Sequence, residues 1–162
     1  MLRALGCLTF VLVLVSGCGG SGETDSDQQS SESSAKAEPK TAEAATAIAK
    51  EQSLRYSSGD FAGAWEMWTD EAKKIFSRED YVTLSEKCAA TGIPLEVDPA
   101  RLEGSDEAVV RVGLGDIKSS YKLKYDDGHW KWQPDPDNIK IYELGLQGAI
   151  KARKAEGSCD PD

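Results

Sequence analysis

Basic residues are in the minority in this chain. Its 162 residues carry 19 lysines and arginines against 28 acidic side chains, a formal net charge of −9. Phosphate backbones are bound by clustered Lys and Arg, so nucleic acid is excluded as a bulk partner. Histidine occurs once and cysteine four times. A zinc site needs three or four protein ligands and none can be assembled, so no metal and no cofactor is expected. A glycine-rich phosphate loop is also missing. No apolar run approaches the ~20 residues of a membrane-spanning helix. No aromatic residue stands between Gly19 and Ala42, so that stretch has almost nothing to bury.

What is present begins with Leu8 to Val15, an apolar run of the length of a signal h-region, preceded by Arg3. It ends in Val15-Ser16-Gly17-Cys18. This resembles the lipobox of bacterial lipoproteins: an aliphatic residue, two small residues that enter the peptidase cleft, and the cysteine that is acylated. Gly6-Cys7 imitates the ending, but no apolar run precedes it. The resemblance implies that residues 1–17 are a removed signal and that Cys18 carries the lipid, palmitate included. It implies a protein on the extracytoplasmic face of the cell membrane, joined to the bilayer through Cys18. Loss of Arg3 takes the mature charge to about −10. The alternative is an ordinary cleaved signal with an incidental cysteine.

Residues 18–43 are rich in Ser, Gly, Glu, Asp and Gln, too polar to offset their ordering entropy. They are expected to form a disordered acidic tether of roughly 25–30 Å. Residues 44–162 then suffice for one domain with a C-terminal tail. With Cys7 and Cys18 accounted for, Cys88 and Cys159 remain. In an exported protein such a pair is expected to form a disulfide, with two unpaired thiols as the alternative.

From Ala42 good helix formers predominate as far as Ser57-Ser58-Gly59, where Gly59 reads as the C-terminal cap. Ala44, Ala47, Ile48, Glu51 and Leu54 give this helix only a mixed stripe. Asp60 caps the next, on which Phe61, Ala64, Trp65 and Trp68 fall on one face. A short turn of helix from Glu71 to Ile75 follows. Ser77 opens a further helix, stapled by Phe76 and Tyr81, that is expected to end at Gly92 before Pro94. Beyond Pro94 the period becomes two. Leu95 to Val97 suggests a short edge strand. Ala108 to Leu114 and Ile117 to Tyr125 alternate, Asp127-Gly128 marks a hairpin, and Trp130 and Trp132 flank Lys131. Ile139 to Leu146 reads equally as a strand or as the start of a helix ending near Lys154.

Helices followed by a meander predict an α+β fold, with the N-terminal helices packed on a curved antiparallel sheet. The runs Arg55 to Trp65, Ser77 to Tyr81 and Asp127 to Trp132 resemble the nuclear-transport-factor-2-like, or cystatin-like, family. The resemblance covers roughly Ala44 to Pro134. It implies a cone-shaped domain, in some relatives with a pocket at the open end, and an outer sheet face that can serve as a homodimer interface.

Some members of that family are isomerases, cyclases or dehydratases with an Asp or His inside the cone. His129 stands beside a hairpin turn and Asp60 at a cap position, so neither reads as a catalytic group, and no catalytic residue is assigned. Trp65, Trp68, Tyr81, Tyr121, Trp130 and Trp132 are candidates to line a pocket for a small ring-shaped ligand. The alternative is that they fill the core between helices and sheet, which is the commoner use of an aromatic stripe. Arg111, Lys118, Lys122, Lys124 and Lys131 share the outward phase of the strands. They form a candidate docking face for an acidic protein or an anionic wall polymer, or a merely solvated face. Reversing Lys118, Lys122 and Lys124 to Glu tests docking: unchanged cell-wall retention at low salt argues against it. The reading is a non-catalytic, lipid-anchored protein whose domain binds a partner or small ligand. An enzyme with its site in the cone, or a dimerising structural module, is the alternative.

Overall fold

Thr41 is extended, and its hydroxyl accepts the Ala44 N–H at 3.2 Å, which starts helix α1, Ala42–Ser58. The computed structural model that shows this describes residues 37–159. Residues 1–36, on which the expected signal, Cys18 and most of the expected tether fall, lie outside the described residues, as do 160–162. Gly59 closes α1 at φ 85°, a left-handed conformation suited to glycine. The buried face of α1 runs through Ala45, Ala49, Gln52 and Ser53, while Leu54 is 62% exposed. The stripe read from Ala44, Ala47, Ile48, Glu51 and Leu54 is thus rotated. Ala45 and Ala49 are small enough for α1 to pack against the sheet, and Gln52 and Ser53 face a hollow beyond them.

Asp60 caps α2, Phe61–Glu66, accepting the Gly63 N–H at 2.9 Å. This helix stops short of Trp68, which therefore leaves the helical stripe expected for it. Thr69 caps α3, Asp70–Ile75, and Ser77 caps α4, Arg78–Cys88. Helix α4 ends at Cys88, not at Gly92. Ala89 turns extended, and the chain runs on until the Gly92 N–H reaches the Ser57 carbonyl at 2.8 Å, tying this loop to the end of α1.

The strands are β1 (Glu96–Val97), β2 (Arg101–Leu102), β3 (Glu107–Leu114), β4 (Ile117–Asp126) and β5 (His129–Gln133). Both short strands pair with β3, and β3, β4 and β5 follow as an antiparallel meander that curls into an open half-barrel. Asp127 and Gly128 take φ values of 49° and 82°, the primed turn that suits the twist of a hairpin. Ala108, Val110, Val112, Leu123, Trp130 and Trp132 are buried on the concave face, and the helices pack against it. The fold is α+β, as the order of elements predicts.

The ambiguous C-terminal stretch is helical. The Asp135 carboxylate accepts the N–H groups of Asp137 and Asn138, and Pro136 occupies the first turn of α5, Pro136–Tyr142. Helix α6, Gly145–Ala155, packs on α4. Cys159 is then bonded to Cys88, so the end of the chain is pinned to the end of α4.

Glu38 to Lys40, assigned to the tether on composition, belong to the domain. The Glu38 N–H donates to the Gly128 carbonyl at 2.8 Å, and its carboxylate accepts the Trp130 N–H at 2.9 Å. Lys40 pairs with Asp106 and lies over the Tyr125 ring. The β4–β5 end of the sheet supplies the polar partners that composition alone does not show.

Candidate functional site: a cavity inside the curled sheet

Between the concave sheet and helices α1, α4, α5 and α6 lies a cavity of about 600 Å³. Trp68, Tyr81, Tyr121 and Trp132 line it, four of the six aromatics anticipated as pocket residues. Trp65 and Trp130 are not among its walls. The Trp65 indole donates to the Phe76 carbonyl at 3.0 Å and carries the Lys73 ammonium over its ring. The Trp130 indole donates to the Pro39 carbonyl at 3.1 Å and meets Tyr125 edge-on. Those two pack away from the cavity; the other four border it.

The aromatic walls are held in place by one another. Trp68 lies against Tyr81 at 4.5 Å between ring centroids and stacks on Tyr142 at 5.4 Å, and Tyr142 in turn stacks on Phe76 at 4.8 Å. Across the cavity lining, Tyr121 leans on Trp132 at 4.8 Å. Exposed Ala90, Gly157 and Ser158 mark the mouth, and the Cys88–Cys159 disulfide forms part of its rim.

Two buried polar atoms in this lining lack a hydrogen-bond partner, Gln52 Oε1 and Trp68 Nε1. Gln52 is 5% exposed and Trp68 2%. An unpartnered buried polar atom costs about 1–3 kcal/mol, so native proteins pair such atoms with water or a ligand where the fold leaves them bare. Here one is an acceptor and the other a donor. Four of the remaining polar lining residues are tyrosines, and the others are Ser53, Ser85, Asn138, Arg153 and Ser158. Burial raises the pKa values of Tyr56, Tyr81, Tyr121 and Tyr142 above the ordinary tyrosine range. The Arg153 charge offsets part of that rise at Tyr56, Tyr121 and Tyr142. These hydroxyls therefore remain protonated and able to donate at neutral pH.

Arg153 on α6 is the one lysine, arginine or acidic side chain among the lining residues. Its guanidinium donates to the Asn138 side-chain oxygen and, at 3.0 Å, to Glu156. Among the described residues, no Asp, Glu or His lines the cavity. His129 lies at the β4–β5 turn with Nδ1 3.5 Å from Glu38, and Asp60 caps α2 and pairs with Arg55 at 3.2 Å. Gln52, Tyr56, Tyr142 and Arg153 are site residues that periodicity does not reveal.

A second hollow of about 610 Å³ lies where the convex face of the sheet meets α5, lined by Val109, Lys122, Ile139 and Lys140 among others. It matches the first in volume but holds neither of the unpartnered buried atoms, which is why the inner cavity is the candidate.

Strand register confirms that Arg111, Lys118, Lys122, Lys124 and Lys131 share the convex face. That face also carries acids. Lys118 is clasped by Asp98 at 2.6 Å and Glu96 at 3.1 Å, contacts that hold its ammonium pKa above the usual lysine value. Lys122 meets Glu107, and Lys131 meets Asp70 and Asp126. Among the described residues, only Arg111 and Lys124 of the five have no ion-pair partner. Also among the described residues, no helix is long and apolar enough to cross a membrane, and no cluster of three or more His, Cys, Asp or Glu side chains could hold a metal.

No protein-family model matches the chain, and neither does any curated protein.

Proposed function

We propose that this is a lipid-anchored extracytoplasmic protein whose domain binds a small ligand in the cavity without transforming it. The observation that carries the reading is a cavity of about 600 Å³ walled by aromatic rings, with Gln52 and Trp68 in its lining, whose Oε1 and Nε1 are buried and unpartnered. Small-molecule sites are concave, mostly apolar and set with a few polar groups, and this cavity has that form. Cys18 supplies the membrane attachment, and the acidic stretch after it spaces the domain from the bilayer. The domain is of the nuclear-transport-factor-2-like kind, a reading supported by its helices-then-meander order and by the curl of its sheet.

Binding is favoured over catalysis because, among the described residues, the lining offers no carboxylate or imidazole to move a proton at neutral pH. Its phenols hold their protons too firmly to serve as bases. Binding is favoured over dimerisation because the convex face is charged and internally paired rather than apolar. Docking of an anionic wall polymer on that face retains the support of Arg111 and Lys124 alone. Native mass spectrometry of the protein extracted from its own membrane tests the reading. A small-molecule adduct that is lost in Gln52→Leu supports it, and a uniformly ligand-free mass counts against it.

A further inference from the structure

Resting on the ligand-binding reading above, we propose that the cavity selects a ring compound bearing a single carboxylate. The carboxylate lies at Arg153, the ring among the aromatic walls, and a hydroxyl or N–H of the ligand at Gln52.

Charge points to an anion. Among the described residues no acidic side chain is in this lining, and Arg153 provides its one full charge. A cationic ligand would meet the Arg153 guanidinium there, and the acid beside it, Glu156, is already its ion-pair partner. Arg153 carries five N–H donors, and its two observed bonds, to Asn138 and Glu156, leave others free. The pair with Glu156 is a solvent-facing i,i+3 contact, with the carboxylate side chain 49% exposed, so it competes weakly for the guanidinium. One cation matches one negative charge. A doubly charged phosphate would be left half compensated.

Hydrogen-bonding capacity points the same way. Trp68 Nε1 is a buried donor without an acceptor, and the tyrosine hydroxyls are further donors. A lining this rich in donors calls for acceptor oxygens. Among the described residues Gln52 Oε1 is the one fully buried side-chain acceptor without a partner, and it calls for a protic group on the ligand. The walls complete the description. Trp68 with Tyr142, and Trp132 with Tyr121, present rings on which a planar ligand stacks.

The test uses the full-length protein in lipid nanodiscs. Benzoate, 4-hydroxycinnamate and indole-3-acetate are each titrated by calorimetry against their own primary amides, with the Trp68 indole N–H followed by NMR. The expected result is that acids bind at least tenfold more tightly than amides. Arg153→Gln should erase that preference and Arg153→Lys should keep part of it. Added salt should weaken the acids but not the amides. If acids and amides bind alike and shift Trp68, the cavity is a binding site but the carboxylate assignment is wrong. If an acid preference survives in Arg153→Gln, Arg153 is not its source and the assignment again fails. If no compound binds or shifts Trp68, the binding reading falls with it.

Discussion

Trp68 and Trp132 sit side by side in a one-residue parallel bridge, although one was expected on a helix and the other lies in the last strand. The Trp132 N–H donates to the Met67 carbonyl at 2.7 Å, and the Trp132 carbonyl accepts the Thr69 N–H at 2.9 Å. The bridge covers part of the exposed edge of β5, where unpaired backbone invites aggregation. It also brings both tryptophans into the wall of one cavity. Fold and site thus share the same two hydrogen bonds.

Gln52 should be a liability for stability and an asset for binding. Replacing it with Leu removes a buried acceptor that has no partner, whose burden is about 1–3 kcal/mol. Gln52→Leu is expected to stabilise the protein by about 1 kcal/mol in urea unfolding and to weaken ligand binding tenfold or more. A variant that is less stable yet binds normally would show that Gln52 is a packing residue.

The Cys88–Cys159 bond spans a sequence separation of 71 residues. Removing it frees the unfolded chain and should cost about 3–4 kcal/mol. The double variant Cys88→Ser with Cys159→Ser is expected to show that loss in denaturant, and also faster ligand release, because the bond forms part of the rim. Equal stability with and without reductant in the unsubstituted protein would contradict this.

Two buried phenols, Tyr81 and Tyr142, and two half-buried ones, Tyr56 and Tyr121, make the protein sensitive to alkali. Tyr56, Tyr81, Tyr121 and Tyr142 are held above their ordinary pKa chiefly by burial, while the unfolded chain ionises them near 10. Above about pH 10 the unfolded state therefore binds fewer protons than the folded one. Their contribution is complete below that pH and declines as pH rises toward the folded values. Urea midpoints should fall from about pH 10 upward, with phenolate absorbance at 295 nm rising together with unfolding. A midpoint that stays level through pH 11 would contradict the burial of these hydroxyls.

Cys18 is expected to carry the lipid. Wild-type protein should incorporate labelled palmitate and partition into the detergent phase, and Cys18→Ser should take up no label. Equal labelling of the two places the lipid on another residue or shows that the lipobox resemblance is incidental.

Local chemistry was the legible part of the fold. Asp60 and Ser77 cap helices because their side chains reach free N–H groups nearby, and Asp127-Gly128 turns because glycine and aspartate tolerate positive φ. The alternation of β3 showed which side chains face inward. What escaped was set by distant partners. Trp68 leaves its helical stripe because Trp132 offers hydrogen bonds, and α4 stops where the chain must reach Ser57. Tyr121 and Trp132 were visible as site residues because strand alternation points them inward. Gln52 was not, because a polar residue on a helix reads as solvent-facing until the opposite face proves exposed at Leu54. Tyr142 and Arg153 stayed hidden while the 139–154 stretch had two readings.

The four indole N–H resonances test the central claim most directly. Trp68 and Trp132 line the cavity, whereas Trp65 and Trp130 donate to the Phe76 and Pro39 carbonyls outside it. Each protein therefore carries two reporters and two internal controls. Titration with a carboxylate ring compound is expected to shift the Trp68 and Trp132 signals and to leave those of Trp65 and Trp130 in place. Shifts confined to Trp65 and Trp130, or no shift at Trp68, would contradict ligand binding in the cavity.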